Sequence, residues 1–360
     1  MSAAAIPTQG VMEGGGSYNL HAKIAAGGGS LALPYLEEAA RSCALRPASD
    51  PIVVADYGSS QGKNSLAPMR AAVRCLRARV GAERPILVVH VDQHANDFNT
   101  LFDVLHRDPE RYSMGDPNVF PSAIGRSFYE NVFPREQVDL AWSSYAAVWL
   151  SRVPALVPGH FVYLASTGDV RAVFDRQAAD DWKLFLALRA QELRPGGRLV
   201  VVLPGLSDAG ASGFEPLFNS ANAVLGELVH EQVIGDHERK RMVLGACPRR
   251  RAQLLEPFSP DGQFQSLSVE HCDLMDLPDA AWADYQLDGN AEAFVSRHAA
   301  FFRAIFAPSM ASAISDAARR QAFTDCLEEK LKQRLRQQRA PLHSLVQVMV
   351  LARNSAGAAT

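Results

Sequence analysis

The stretch Val53-Val54-Ala55-Asp56-Tyr57-Gly58-Ser59-Ser60-Gln61-Gly62-Lys63-Asn64 is a β-branched apolar run that breaks into an acid, two glycines and a polar, helix-starting cluster. A short run of this type reads as a buried strand. Glycines at 58 and 62 let the following turn approach a ligand where a Cβ would collide. A phosphate-cradling loop needs Gly-x-x-x-x-Gly-Lys-Ser/Thr, but Tyr57 stands where its first glycine belongs and Asn64 where its hydroxyl belongs. A nucleophile elbow, Gly-x-Ser-x-Gly, is satisfied by Gly58 to Gly62 with Ser60 as nucleophile. Only about fifty residues precede it, too few for the strands and oxyanion loop that come first in that fold.

A third chemistry, a loop around the amino-acid end of S-adenosylmethionine, requires a second strand ending in an acid for the ribose hydroxyls. Ile86-Leu87-Val88-Val89-His90-Val91 is that strand, and Asp92 closes it. Gly58 and Asp92 lie 34 positions apart, more than the roughly 20 of a dinucleotide fold. That spacing leaves room for a long first helix, residues 64 to 80. His90, Asp92 and His94 alternate as metal ligands on one strand face could. The plainer reading is a core histidine, a ribose acid and a loop histidine.

Strand and helix signals alternate along the first two hundred residues: strands at 52–56, 86–91, about 138–142, 161–165 and 198–203, helices at 64–80, 144–151 and 175–193. This rhythm predicts an α/β fold, a mostly parallel Rossmann-like sheet with helices on both faces. Four segments follow: a glycine-rich leader (1–30) folding over the site, the sheet core (31–206), a mainly helical cap (207–325) with helices near 216–232 and 291–306, and a returning helix and strand (326–360). The charged helix spans 320–338, and the strand Val346 to Leu351 is an edge partner of the sheet.

Four motifs share an order and spacing with one family: Ala55 through Asn64, Asn96-Asp97-Phe98-Asn99-x-Leu101-Phe102, Ser127-Phe128-Tyr129-x-x-x-Phe133-Pro134, and Ser143-Ser144-Tyr145-x-x-x-Trp149-Leu150-Ser151-x-Val153-Pro154. The chain resembles the SABATH methyltransferases, which move a methyl group from S-adenosylmethionine to a carboxylate, or in some members a ring nitrogen, of a small molecule. The resemblance implies the class I methyltransferase version of the sheet and S-adenosylmethionine as cofactor. It places Tyr18 over the sulfonium, Asp56 and Asn64 around the amino-acid moiety with Gly58 and Ser143 in the same site, Asp92 on the ribose, Gln93 beside the adenosine, and Ser127 and Phe128 against the adenine. Tyr145 and Trp149, four apart on the expected helix and hence on one face, become the acceptor wall, with the indole N–H of Trp149 on the substrate carboxylate. An indole only donates, which suits an anion. Read without the family, the same two rings are an aromatic core pair. Asn96 to Asn99 read as turn formers.

Departures narrow the acceptor. The family's leader lysine and its carboxylate-clamping glutamine fall on Glu13 and Ala25, leaving His21 or Lys23 as substitutes if the register shifts. A magnesium-binding asparagine of some relatives is replaced by Ser166, so no metal is expected. No catalytic side chain is expected either, because a carboxylic acid is already ionised at pH 7 and geometry carries the transfer. The sequence-based expectation is an O-methyltransferase for a small hydrophobic or aromatic carboxylic acid, with an N-methyltransferase or a Ser60 hydrolase as alternatives.

Composition agrees with a globular enzyme: 360 residues, 48% apolar, net charge −3. Nothing in this charge favours nucleic acid or an anionic membrane, and Arg249-Arg250-Arg251 reads as a solvated loop. Five scattered cysteines without a Cys-x-x-Cys pair suggest neither a disulfide framework nor zinc. The remaining expectations are a cytoplasmic protein, no membrane span, and a homodimer as in relatives.

Overall fold

The computed structural model describes residues 10–354. Eight strands form one sheet: β1 Ile52–Tyr57, β2 Ile86–Asp92, β3 Val119–Gly125, β4 Val138–Ser144, β5 Leu193–Pro204, β6 Gln263–Phe264, β7 Leu267–Leu277 and β8 Ser344–Arg353. Their spatial order is β3-β2-β1-β4-β5-β8-β7-β6. The first five are parallel, while β8 inserts antiparallel between β5 and β7. Every residue of β1 is buried, as a central parallel strand covered on both faces requires.

Among the described residues, twelve α-helices accompany the sheet. They are α1 Ser17–His21, α2 Lys23–Leu31, α3 Leu33–Ser42, α4 Lys63–Val80, α5 Phe98–Arg107, α6 Gly168–Glu192, α7 Glu215–His230, α8 Asp236–Arg241, α9 Arg251–Leu255, α10 Ala280–Asp288, α11 Ala291–Ala311 and α12 Ala317–Gln337. One face of the sheet packs on α3 and α4 through Leu36, Met69, Ala72 and Leu76. The other packs on α6 and, beyond it, on α7 and the phenylalanine-rich α11.

Four expectations are corrected. Residues 144–151 are not a helix: β4 runs to Ser144, and Tyr145 then takes a left-handed φ of 58° that breaks any helix. The strand expected at 161–165 is a short 3-10 turn, Tyr163–Ala165. β3 went unread because Pro121 interrupts it and Phe120 points to solvent, the marks of an edge strand. The final strand is no edge strand; it is flanked on both sides. In addition, residues 207–325 supply not only helices but also β6 and β7 of the sheet.

The order reverses between β1 and its two neighbours, β2 and β4. At such a switch point the loops leaving the carboxyl ends of adjacent strands splay apart and leave a crevice. The loops after β1, β2, β3 and β4 all emerge there.

Candidate active site

The loop after β1 is built for close approach. Gly58 has φ +88°, and a Cβ on it would lie 2.1 Å from Cβ of Ala146, so the β1 and β4 loops touch backbone to side chain. Ser60 is held at φ 47°, an uncommon conformation for a non-glycine residue; such outliers persist only where surroundings impose them, often at functional sites. The surroundings are visible. Asp92 Oδ2 accepts from Ser60 N–H at 2.7 Å and its Oδ1 from Gln93 N–H at 2.8 Å, while Asn96 donates to Ser60 O at 2.8 Å. Asp97 caps α5 through Thr100 N–H and accepts from Gly15 N–H of the leader. Burial pushes the Asp92 carboxyl up to about 6; the two N–H donors oppose this, and the nearby Asp56 charge adds to it.

The crevice is a cavity of about 110 Å³. Of the expected site residues it is lined by Tyr18, Gly58, Asp92, Gln93, Phe128, Tyr145 and Trp149. The other four lie behind its wall. Asp56 is buried, its Oδ2 2.8 Å from His90 Nδ1, and the far ring nitrogen of His90 is 2.8 Å from Tyr112 Oη. The alternating His90-Asp92-His94 pattern therefore has its first two members spent on protein partners. Ser143 donates to Tyr57 O, Asn64 hydrogen-bonds Tyr18 and Ala22 O, and the hydroxyl of Ser127 caps its own turn by accepting from Tyr129 N–H.

Tyr145 and Trp149 do reach one wall, by a route that helical spacing did not describe. The segment after Tyr145 is zipped to residues 245–247: Leu150 N–H donates to Gly245 O and Cys247 N–H to Val148 O. Arg249, expected in solvent, is 2% exposed; it donates to Ala147 O at 2.7 Å and Ala178 O at 3.0 Å. Tyr129 donates to Trp149 O at 2.7 Å. A second buried group steadies Phe128: Arg189 donates to Phe128 O at 2.9 Å and pairs with Glu192, which takes the Tyr57 hydroxyl at 2.6 Å. Sequence reasoning missed Arg249, Arg189 and Glu192, because a buried arginine shows no periodicity of its own.

The leader closes the cavity from above. Glu13 pairs with Arg303 of α11 at 2.8 Å, and Gln61 donates to Glu13 O at 2.5 Å. Glu13 thus serves as a tether between loop, leader and cap. Ala25 lines the cavity, while His21 and Lys23 line a different one, so neither replaces the missing glutamine here.

Chemically the cavity is lopsided. Its described lining holds one carboxylate, Asp92, and no lysine, arginine or histidine. Its uncharged polar groups include Ser60, Gln93, Ser144 and Ser212, and its apolar wall includes Met12, Val148, Val162, Leu164, Leu244, Ile305, Phe214, Phe218, Phe301 and Phe306. Burial holds the Tyr18 phenol up at about 12 and pushes Tyr145 higher still, so both are neutral near pH 7. Ser60 Oγ is buried without a hydrogen-bond partner, and no histidine lines the cavity to take its proton, which a nucleophilic serine requires.

The family model for SAM dependent carboxyl methyltransferases matches residues 7–354. The chain belongs to that family. Among curated relatives, the chain is 32% identical to the methyltransferase LUC1 of Fusarium sp over 61% of its length and 58% of the relative's. It is 32% identical to loganic acid O-methyltransferase of Catharanthus roseus over 53% and 54%, and 26% identical to salicylate carboxymethyltransferase of Clarkia breweri over 66% and 67%. The chain thus spans about half the length of the first curated relatives it matches. A solved loganic acid methyltransferase with SAH shares the fold, with a TM-score of 0.77 at 24% identity, covering 96% of this chain and 99% of that one.

The residues present fit the family's S-adenosylmethionine. Ser59, Ser60 and Gln61 each leave a buried polar atom unpaired on the glycine loop, and Gly58 lines a cradle that a side chain would fill. Asp92 would hold the ribose hydroxyls, Phe128 the adenine face and Tyr18 the sulfonium, since aromatic faces attract cations.

Proposed function

We propose that this protein forms methyl esters of a small hydrophobic or aromatic carboxylic acid by in-line methyl transfer from S-adenosylmethionine. The observation that carries this reading is the indole of Trp149, 7% exposed, lining the apolar half of the cavity with no described residue accepting its N–H. A lone donor in an apolar wall selects an acceptor atom, here a carboxylate oxygen. When bound, the cofactor supplies an electrophilic methyl carbon and the positive charge that the wall itself lacks.

The protein's own contribution is placement. Gly58 and Ala146 bring the cofactor loop against the acceptor wall, Arg249 and Tyr129 fix the backbone that carries Trp149, and the phenylalanines exclude water. A near-attack arrangement in a dry site is worth about 7–11 kcal/mol of barrier at best, enough that no side-chain base is needed. Jasmonate, salicylate and loganic acid methyltransferases among the relatives support the carboxylate class.

The test is Trp149→Ala. Loss of a charge-assisted hydrogen bond, about 1.5–3 kcal/mol, should raise the acceptor KM by roughly ten- to a hundredfold while the S-adenosylhomocysteine Kd stays put. An equal loss in both would remove Trp149 from the acceptor site. Nitrogen methylation is the second reading. The absence of a glutamine at Ala25 and of any basic group in the described lining favours it, and a 3,7-dimethylxanthine N-methyltransferase of Camellia sinensis var. assamica is among the relatives, at 26% identity.

We further infer a leader, core, cap and returning segment with the bounds given above, and a cytoplasmic homodimer. Five free cysteines, four of them buried, support a reducing compartment, and no described helix is long and apolar enough to cross a membrane. Sedimentation of the purified protein tests the dimer.

A further inference from the structure

On the outer side of Phe301 lies a second cavity of about 520 Å³, walled by α1, α2, α11 and the end of β7. Phe301 lines both cavities. The inner cavity has no basic side chain; the outer one has His21, Lys23 and Arg297. Arg297 is paired with exposed Asp284, but Lys23 is exposed and has no ion-pair partner among the described residues. The one acid in the outer wall, Asp279, is already saturated by His298 and by the N–H groups of Ala281, Trp282 and Leu342. Between the basic groups lie apolar surfaces: Leu20, 66% exposed, with Ile24 and Leu277.

We propose that this outer cavity is a second binding site for an amphipathic carboxylate, its anionic head at Lys23 and its apolar body on Leu20, Ile24, Leu277 and the outer face of Phe301. The proposal rests on the reading that the acceptor is a hydrophobic acid. It assigns the two basic residues nearest the missing glutamine in sequence to a site outside the reaction chamber. A largely apolar concavity with few polar groups is what small ligands occupy, and an unpaired surface cation attracts an anion most strongly at low salt.

Calorimetric titration of dodecanoate into the protein saturated with S-adenosylhomocysteine tests this at low ionic strength. The expected result is two acids per chain. Lys23→Glu should weaken one of them tenfold or more and leave the other, while Trp149→Ala should do the reverse. A single acid per chain, indifferent to Lys23→Glu and lost in Trp149→Ala, would overturn the outer site and leave the proposed reaction intact. Binding that is sensitive to Lys23→Glu in a protein that methylates no acid would uphold the outer site and sink the ester-forming reading instead. Lys23 is exposed and outside the reaction chamber, so its variants should fold and bind S-adenosylhomocysteine normally.

Discussion

Gly28→Ala is the most informative single perturbation of the acceptor wall. Gly28 is buried in α2, one turn beyond Ala25, and a Cβ there would stand 2.3 Å from Tyr145 Oη, 2.5 Å from Cε2 and 2.8 Å from Cζ. Restoring ordinary contact requires the phenol to retreat by about 1 Å, and the backbone of Tyr145 cannot follow, because its N–H is held by Val202 O at 2.8 Å. The ring must therefore swing within the cavity. The stability cost is small, since about 1–3 kcal/mol of overpacking is offset by about 1 kcal/mol gained on replacing glycine in a helix. Activity should fall much further, because a displacement of about 1 Å at a positioning group can cost roughly a hundredfold in rate. The assay is kcat/KM for transfer of radiolabelled methyl to the best acid, alongside the melting temperature and the S-adenosylhomocysteine Kd. The expected pattern is a melting shift of a few degrees, a near-normal Kd and a loss of about two orders of magnitude in kcat/KM. Placing Gly28→Ala in a Tyr145→Ala background should cost little more, because the clash is gone. Wild-type kcat/KM in Gly28→Ala would refute the placement of Tyr145 in the reacting wall.

Cofactor affinity should depend on pH through Asp92. With its carboxyl held near 6 by burial, S-adenosylhomocysteine should bind independently of pH above about 7 and weaken by up to tenfold per unit below 6; Asp92→Asn should bind weakly and flatten the profile. In the ligand-free fold the sign is opposite: a raised carboxyl favours the folded state below its unfolded value near 4, and that contribution is lost as pH climbs through 6, so thermal melts without ligand should show Asp92→Asn gaining stability relative to the parent as pH rises from 4 to 7. Ala25→Gln restores the glutamine that the family places at this point in the cavity wall. It should lower the KM for small acids and raise it for bulky ones, and unchanged KM values for both would show that residue 25 does not meet the acceptor.

The half of the cavity built on the β1 and β2 loops was legible in the sequence because its signals are local. β1 and β2 are β-branched runs ended by an acid or glycine, and the turn after β1 declares itself through Gly58. The acceptor half was less legible because its geometry is tertiary. Tyr145 and Trp149 carry a spacing that a helix would explain, whereas a left-handed residue, a short zipper to residues 245–247 and the buried Arg249 bring them to the wall. The family resemblance assigns Asp56 to the amino-acid end of the cofactor; what the sequence could not show is that its carboxylate meets His90, a partner that strand register supplies through the pairing Asp56↔His90. Arg249 sits in a basic triplet, and nothing in such a triplet distinguishes the one member that is buried.

The insertion of β8 between β5 and β7 also dictates a folding order. The strands β1, β2 and β3 pair in chain order, as do β4 and β5, and β4 closes on β1 within the first 150 residues, whereas Arg198 of β5 must find Ala352 of β8 from beyond the cap. Closing so long a loop is slow. The half of the sheet that bears the glycine loop can therefore assemble early, with the hydrogen-bonding edge of β5 open. Until β8 docks, that edge is a template for any extended strand. The antiparallel insertion that finishes the sheet is accordingly the step at which a nascent or destabilised chain is most exposed to aggregation.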